Sequence, residues 1–301
     1  MKLIRFGSVH AEAPGALTSR GIVPLGPILA RYGLAHDLRA VLALWDRIGH
    51  EISAAVASSS ATIDPATVRL GAPIPRGANI LAVGKNYPSA DGTRPDVDPV
   101  LFVKSGTALT GPNDEIVLPS ETDAVDYEVE LAIVIGEGGR HIREADATRH
   151  IAGYTIANDV TAAGLMFPGH LDDPAALSAF RLQTLKGKSL ATFLPIGPCI
   201  VTTDEFGAIG EQVIATSVNG EERQRGSLGS MLHGVNAIVA ELSRYVELSP
   251  GDVILTGTPP GVGWEASPPR WLRDGDVVRM SIDGIGEMVH TVRADRAEAA
   301  A

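Results

Sequence analysis

The amino-acid sequence predicts an α+β fold that is mainly β. Beyond about residue 73, short runs of β-type residues follow one another without regularly spaced helices, which favours a layered β or α+β fold over a doubly wound sheet. The 33 glycines and 20 prolines among 301 residues make a turn-rich chain and argue against a helical bundle. Hydrophobic residues form 45% of the chain and charged residues 20%, so the chain can bury a full core and is not a disordered protein.

A small N-terminal α/β domain is predicted for residues 1–72, followed by a larger domain at residues 73–301. The chain begins with a strand pattern at residues 2–6. Residues 35–58 repeat apolar side chains at helical spacing, so a helix is expected there. The segment 71–77 is rich in glycine and proline, as is typical of a connector between domains.

The larger domain is predicted from its strand patterns and one helix. The helix pattern covers residues 230–245, where apolar residues recur at intervals of three and four. The strand patterns lie at residues 80–83, 100–104, 126–135, 153–157, 199–202, 213–218, 252–255, 277–282 and 288–292.

Acidic residues alternate at the start of one of these strands. Asp126, Glu128 and Glu130 are two residues apart, so in a strand their side chains share one side, with Glu128 and Glu130 roughly 7 Å apart. This pattern is often the solvated face of an antiparallel strand. However, the apolar run at residues 131–135 indicates a strand buried on both faces, where carboxylates must be protonated, paired or bound to a cation. With Asp159 after the next strand, oxygen ligands alone suit Mg²⁺, Mn²⁺ or Ca²⁺ better than Zn²⁺, so a metal site and a solvated acidic face both stay open.

Charge, cysteine content and hydropathy disfavour several classes of function. The net charge of −11 makes nucleic acid a poor partner. The single cysteine, Cys199, cannot form an internal disulfide or a cysteine-based zinc site. No apolar run approaches the roughly 18 residues that span a bilayer, and residues 1–21 lack the apolar stretch of a secretory signal. No membrane partner is therefore expected, and the expected location is the cytoplasm.

Several segments, in chain order, resemble the motifs of the fumarylacetoacetate hydrolase family. The match runs from about residue 73 to residue 292, and the region before it resembles the small N-terminal domain of the family's longer members. The segments are GKNY at 84–87, DYEVELAIVIG at 126–136, AGYTIANDV at 152–160, LKGKS at 185–189 with Thr192-Phe193, VNGE at 218–221 and PGDVILTGTP at 250–259.

The resemblance implies a mixed β-sandwich roll, usually a homodimer, with one Mg²⁺, Mn²⁺ or Ca²⁺ in each active site. Carried over residue by residue, it implies that Glu128, Glu130 and Asp159 are the metal ligands. The metal would chelate a 2-oxo acid or 1,3-dicarbonyl substrate and stabilise its enolate as a Lewis acid. Lys188 matches the active-site lysine that helps to neutralise the same charge, and Thr258 matches a threonine that contacts the substrate.

Two segments depart from the family pattern. Hydrolytic members carry a histidine three residues after the Asn-Tyr pair and a glutamate three residues further on; here those residues are Ala90 and Thr93. The usual water activation therefore has no obvious agent. After the metal-binding aspartate, Ala163 replaces an arginine that holds the substrate carboxylate, and Met166 replaces a glutamine. These changes should make the pocket less suited to a small dianion and more tolerant of apolar bulk.

The resemblance implies an enzyme for a small-molecule substrate, with two reaction classes open. The first is C–C bond hydrolysis of an acylpyruvate-type compound, for which His170 or His233 would have to replace the missing base. The second is non-hydrolytic enolate chemistry by a tautomerase, decarboxylase, dehydratase or cyclase on a bulkier, less charged substrate. The retained carboxylates and Lys188 disfavour a third class, a non-catalytic scaffold.

Overall fold

The computed structural model describes residues 1–34, 37–74, 77–94, 98–167 and 183–295, and two β-sheets dominate them. The predicted α+β, mainly β class is thus confirmed. The strands are β1 (Lys2–Phe6), β2 (Ala13–Thr18), β3 (Gly21–Pro24), β4 (Leu70–Gly71), β5 (Ile80–Gly84), β6 (Val100–Lys104), β7 (Leu109–Thr110), β8 (Ile116–Leu118), β9 (Val125–Asp126), β10 (Val129–Ile135), β11 (Ile151–Asn158), β12 (Thr161–Ala162), β13 (Leu194–Thr202), β14 (Val213–Val218), β15 (Glu221–Ser227), β16 (Val253–Leu255), β17 (Val277–Ile282) and β18 (Gly286–Ala294).

The α-helices among the described residues are short. None of them combines the length and apolar character that a membrane crossing requires. They are α1 (Gly26–Leu29), α2 (Leu38–Ala43), α3 (Trp45–Ser58), α4 (Ala163–Met166), α5 (Thr184–Lys188), α6 (Thr203–Phe206) and α7 (Val235–Leu242).

The two sheets pack against each other around the core. The larger sheet has the strand order β3-β2-β1-β13-β11-β10-β16-β5-β6, with β4 beside β1 and β7 beside β13, and the smaller sheet has the order β15-β14-β17-β18-β8. Strands β10, β11 and β13 of the larger sheet contact β14, β17 and β18 of the smaller one. Every residue of β10 and β11 is buried, because each strand has neighbours on both edges and a covered face on each side.

The N-terminal strands belong to the larger sheet. Strand β1 pairs antiparallel with β13, with Lys2 opposite Val201 and Leu3 opposite Ile200. Residues 1–72 are therefore joined by backbone hydrogen bonds to residues 73–301. The boundary between the two predicted domains at residue 72 stays a prediction.

Both predicted helices differ from those observed. The described part of 35–58 forms two helices, α2 and α3, that meet at Leu44, whose φ of −108° and ψ of 7° interrupt the helical geometry. The helix predicted from residue 230 begins at Val235. The segment before Val235 forms hydrogen bonds with Asn86 instead of helical ones. The backbone N–H of Leu232 donates to Asn86 O at 2.8 Å, and that of His233 donates to Asn86 Oδ1 at 2.8 Å.

Candidate functional site

The register of β10 against β11 brings two carboxylates together. Val129 lies opposite Asn158 and Glu130 opposite Ala157. Continued one residue beyond the strand ends, this register sets Glu128 beside Asp159, and the N–H of Asp159 donates to the carbonyl oxygen of Glu128 at 2.9 Å. Glu130 is two residues from Glu128, so strand alternation carries its side chain to the same face.

We call Glu128, Glu130 and Asp159 the carboxylate cluster. Each contributes a carboxylate oxygen, and these oxygens lie within 4.8 Å of one another. Glu130 and Asp159 are buried, and the Glu128 side chain is 17% exposed. The solvated acidic face that the sequence left open is therefore not what forms here. The role of the cluster as a metal site stays a prediction.

Glu130 is held by the tight turn that follows β16. The backbone N–H of Gly257 donates to Glu130 Oε2 at 2.6 Å. Gly257 has a φ of +93°, and a Cβ atom there would lie 2.9 Å from the Cβ of Asn86. Glycine satisfies both demands, since it adopts positive φ without strain and adds no side chain.

Lys188 lies inside the carboxylate cluster. Its Nζ donates to Glu128 Oε2 at 2.9 Å, to Asp159 Oδ2 at 2.7 Å and to Thr161 Oγ1 at 2.8 Å. The ammonium group also stands 5.2 Å from the ring centre of Phe102. Helix α5 can bring Lys188 this close because Gly187 precedes it: a Cβ at Gly187 would lie 2.5 Å from the Cβ of Met166.

A second buried lysine, Lys104, also contacts the carboxylate cluster. Its Nζ forms an ion pair with Asp159 Oδ1, and both side chains are fully buried. Its Nζ also donates to the carbonyl oxygen of Val160 at 3.3 Å. Sequence reasoning missed this residue. Its signal was the strand alternation at residues 100–104, which puts Lys104 on the same face as Phe102.

The pKa values show which carboxylates are balanced by the lysines. For Asp159, burial favours the neutral acid, but Lys104 and Lys188 more than offset it and lower the pKa below its usual value. For Glu130, burial and the charges of Asp159 and Glu128 raise the pKa well above its usual value. The pKa of Glu128 is also raised, mainly by burial, although Lys188 opposes the shift.

The residues present fit a divalent cation. Three carboxylates and two ammonium groups leave the cluster with one excess negative charge in the fully ionised form. The ion pairs of Lys104 and Lys188 within the described residues go to Asp159 and Glu128, whereas burial and the charges of Asp159 and Glu128 raise the pKa of Glu130. Oxygen ligands from separate strands are the donor set of Mg²⁺, Mn²⁺ and Ca²⁺.

Asp126 is not part of this cluster. The pattern predicted it on the same side as Glu128 and Glu130, but a short break at Tyr127 and Glu128 separates β9 from β10. Its Oδ1 accepts from the N–H of Gly263 at 2.7 Å and its Oδ2 from the N–H of Trp264 at 2.8 Å. Burial is the largest influence on Asp126 and raises its pKa to about 7, although these backbone donors oppose the shift.

The turn after Tyr87 contains Ala90 and Thr93, the positions at which the resemblance implies a histidine and a glutamate. Ala90 and Thr93 are exposed there, in a turn closed by the N–H of Ser89 donating to Thr93 O at 2.9 Å. Asp91 accepts from the N–H of Thr93 at 2.9 Å. This backbone hydrogen bond lowers the pKa of Asp91 below its usual value, so Asp91 is an even weaker base at neutral pH than an ordinary aspartate.

The remaining predicted site residues lie as follows. Ala163 and Met166 are buried in α4. Thr258 is half-buried and follows Gly257 directly. His233 is held through its backbone by Asn86 and interacts electrostatically with Glu241 of α7. His170 lies outside the described residues. The substrate role of Thr258 and the catalytic role of Lys188 stay predictions.

A protein-family model and curated proteins of known name match this chain. The model of the fumarylacetoacetate (FAA) hydrolase C-terminal domain matches residues 74–293. Human oxaloacetate tautomerase FAHD2A, mitochondrial, is 37% identical over 241 residues, which cover 79% of this chain and 74% of that protein.

Solved structures are similar over nearly the whole chain, and two of them illustrate this. A probable 2-hydroxyhepta-2,4-diene-1,7-dioate isomerase from Mycobacterium abscessus is 35% identical with a TM-score of 0.81, covering 98% of this chain and 100% of that one. Maleylpyruvate hydrolase from Sphingobium sp. SYK-6, in complex with manganese(II) and pyruvate, is 28% identical with a TM-score of 0.79, covering 98% of this chain and 99% of that one.

Proposed function

Because the chain belongs to the fumarylacetoacetate hydrolase family, whose members are enzymes, we propose that it interconverts the keto and enol forms of a 2-oxo acid. The proposal assigns one divalent cation, Mg²⁺ or Mn²⁺, to Glu128, Glu130 and Asp159. One observation carries it: the buried carboxylate cluster suits a cation, whereas the turn at residues 88–94 offers no base strong enough to activate water. The 37% sequence identity with human oxaloacetate tautomerase FAHD2A supports this proposal.

The charge of the site suits an anionic oxo acid. When bound, a divalent cation acts as a Lewis acid toward the oxygens of a chelating 2-oxo acid. With that cation, three carboxylates and two ammonium groups carry one net positive charge, which a carboxylate substrate neutralises. Manganese(II) and pyruvate are present in the similar maleylpyruvate hydrolase structure, which supports a 2-oxo acid of this kind.

Lys188 contributes a fixed positive charge. The three donors of the Lys188 ammonium group are directed at Glu128, Asp159 and Thr161, so Lys188 orients two carboxylates. Its positive charge is fixed in a water-poor site, where it stabilises the negative charge that develops on the substrate oxygen. The charges of Asp159 and Glu128 outweigh burial and raise its pKa, so Lys188 stays protonated at neutral pH.

Tautomerisation needs only proton exchange. One proton leaves the carbon next to the carbonyl group and is taken up by solvent water, and one is delivered from solvent to the oxygen, so the atoms balance without an attacking water molecule. Hydrolysis of a C–C bond requires an activated water. The exposed turn with Ala90, Thr93 and the weakly basic Asp91 therefore fits tautomerisation better.

A second candidate function is C–C bond hydrolysis of an acylpyruvate. The similarity to maleylpyruvate hydrolase favours it. It would require a replacement base, either His170, which lies outside the described residues, or His233, whose backbone is held by Asn86. A homodimer and a cytoplasmic location stay predictions; the human relative is described as mitochondrial.

Product analysis separates the two functions. The protein is incubated with Mg²⁺ and either enol oxaloacetate or an acylpyruvate, and ¹H NMR follows ketone, enol and pyruvate. We expect rapid conversion of the oxaloacetate enol to the ketone without a matching release of pyruvate. Stoichiometric cleavage of the acylpyruvate, with no acceleration of enol conversion, would replace the tautomerase proposal with the hydrolase.

A matched pair of lysine variants tests the site. Lys188→Met should lower kcat by roughly a hundredfold, the scale of losing one preorganised electrostatic group. Lys186→Met changes an exposed lysine of the same helix and should leave kcat unchanged. Equal activity of the two variants would contradict the assignment of Lys188.

A further inference from the structure

A buried glutamine, Gln224, connects the strand that bears the carboxylate cluster with the turn that contains Thr258. Gln224 lies in β15 of the smaller sheet and is 1% exposed. Its Nε2 donates to Thr258 Oγ1 at 2.7 Å and to the carbonyl oxygen of Pro259 at 2.8 Å. Its Oε1 accepts from the N–H of Val129 at 3.2 Å and from Thr216 Oγ1 at 3.0 Å. The amide therefore uses two donor and two acceptor positions inside the protein.

The orientation of this amide is fixed by its backbone partners. The N–H of Val129 can only donate and the carbonyl oxygen of Pro259 can only accept. A flipped amide would face both with the wrong atom, and leaving buried polar groups unpaired is costly. The amide nitrogen of Gln224 is consequently the group that faces Thr258.

This orientation determines how Thr258 can act. Its Oγ1 accepts a hydrogen from Gln224, so its own hydroxyl proton is directed away from Gln224. Thr258 is half-buried and directly follows Gly257, whose N–H holds Glu130. Within the described part of the chain no group accepts the Thr258 hydroxyl proton, so this donor stays available next in sequence to the residue that holds Glu130. A hydroxyl group that already accepts one hydrogen bond can donate its own proton to an oxygen that carries no proton, such as that of a carboxylate or a carbonyl group.

The same amide also contacts the strand that bears the cluster. Val129, whose N–H donates to Gln224 Oε1, lies between Glu128 and Glu130. Gln224 thus holds the start of β10 and the Thr258 turn in a fixed relation, although β15 belongs to the other sheet.

We infer that Gln224 is a positioning residue that makes Thr258 a hydrogen-bond donor to an unprotonated oxygen of the substrate. The inference rests on the proposed function, because it takes the substrate to be a 2-oxo acid bound at the carboxylate cluster. Gln224→Glu tests it: a carboxylate at this position accepts the Thr258 proton and so removes the donor from the substrate.

The first experiment measures oxalate binding to the Mn²⁺-loaded protein by titration calorimetry. We expect Gln224→Glu and Thr258→Val each to raise the Kd of oxalate roughly tenfold, the scale of one hydrogen bond to a charged acceptor. The double variant should bind no more weakly than Thr258→Val, because Gln224 acts through Thr258. Thr258→Ser should retain binding. Gln212→Glu, at a partly exposed glutamine of a surface loop, should change nothing.

Three results would overturn the inference: unchanged oxalate binding by Gln224→Glu, unchanged binding by Thr258→Val, or losses that multiply in the double variant. Failure of the Mn²⁺-loaded wild-type protein to bind oxalate would instead count against the proposed function.

The second experiment needs neither metal nor turnover. Gln183, Gln212 and Gln224 are the glutamines of the chain, so selective ¹⁵N labelling of their side-chain amides gives a simple NMR spectrum. In the metal-free protein the Gln224 amide protons should exchange slowly with water, and Thr258→Val should speed the exchange of one of them while Thr258→Ser does not. Fast exchange in the wild-type protein, or no response to Thr258→Val, would overturn the inference even if Gln224→Glu fails to fold.

Discussion

Two clusters of charged side chains in this protein have opposite electrostatic balance. The N-terminal ion-pair cluster consists of Arg5, Glu12, Arg69 and Asp114. Arg69 Nη1 lies 3.0 Å from Glu12 Oε1, Arg69 Nη2 lies 2.5 Å from Asp114 Oδ2, and Arg5 Nη2 lies 3.3 Å from Glu12 Oε2. Two cations face two carboxylates. The carboxylate cluster instead sets two lysines against three carboxylates.

The pKa values record this difference. Burial alone would raise the pKa of Glu12 and of Asp114, yet hydrogen bonds, including those from Arg69, hold both below their usual values. In the carboxylate cluster, burial and neighbouring charge raise the pKa of Glu130 well above its usual value. A balanced cluster stabilises the fold by itself, whereas an unbalanced buried one stores repulsion that a bound cation can relieve.

The strongest test removes the charge of the least compensated carboxylate. Glu130→Gln keeps an acceptor for the N–H of Gly257 but loses a metal ligand, so the affinity for Mn²⁺ should fall at least roughly a thousandfold, more than for outer-shell changes. The metal-free variant should melt about 2 °C higher than the wild type, because repulsion is removed. Calorimetric titration and thermal unfolding measure both. A variant that binds Mn²⁺ normally would show that Glu130 is not a ligand.

His290 lies beside Asp114 of the N-terminal ion-pair cluster and provides a pH-dependent test. Its Nδ1 lies 3.3 Å from the carbonyl oxygen of Asp114, and burial lowers the pKa of His290 to about 4. The unfolded chain takes up this proton near pH 6.5 and the folded chain only near pH 4, so the free energy of unfolding should fall as the pH drops through this range.

The loss due to His290 should reach up to about 3 kcal/mol at the acid end of that range. Urea unfolding at several pH values from 7.5 downward should show a smaller acid loss in His290→Gln than in the wild type. His50→Gln, an exposed histidine of α3, is the control and should keep the wild-type pH dependence. An unchanged acid loss in His290→Gln would contradict the prediction.

Lys104 tests whether the lysines of the carboxylate cluster also stabilise the fold. Lys104→Met removes one of the two cations that face Asp159. Because Lys188 remains, the free energy of unfolding of the metal-free protein should fall by about 2 kcal/mol, less than the cost of breaking a buried pair completely. Urea unfolding measures the change, with Lys186→Met as the exposed control. No loss of stability would mean that Lys104 does not compensate Asp159.

The N-terminal ion-pair cluster should affect stability alone. Asp114→Asn should lower the free energy of unfolding by about 1 kcal/mol at pH 7, since its partner Arg69 is partly exposed to water. The pKa of Asp114 is lowered from its usual value of 3.8, so this contribution is present above that pH and is lost as the pH falls further. The affinity for Mn²⁺ should be unchanged. A changed affinity would contradict the claim that the N-terminal ion-pair cluster affects stability alone.

Part of the candidate site could be predicted because it is formed by residues that are close together in the sequence. The alternation of Glu128 and Glu130 before an apolar run indicated carboxylates entering a buried strand, and the next strand ended at Asp159. Antiparallel pairing of consecutive strands then brings these groups together with little freedom. The same local patterns predicted strands β14 and β17 with their observed bounds. They failed just after residue 230, where Asn86 accepts hydrogen bonds from the backbone N–H groups of Leu232 and His233, which the pattern assigned to a helix.

The sequence by itself determined the mainly β fold class and the three carboxylates, because strand alternation and hydrophobic runs are properties of adjacent residues. The segment that contains Lys188 was identified by its resemblance to a family motif. Tertiary structure alone decided the rest of the site. Lys104 meets Asp159 from 55 residues away, Gln224 meets Val129 from 95 and Gly257 meets Glu130 from 127. Such contacts depend on how the sheets pair and pack, and no local periodicity specifies which distant side chain will balance a buried charge.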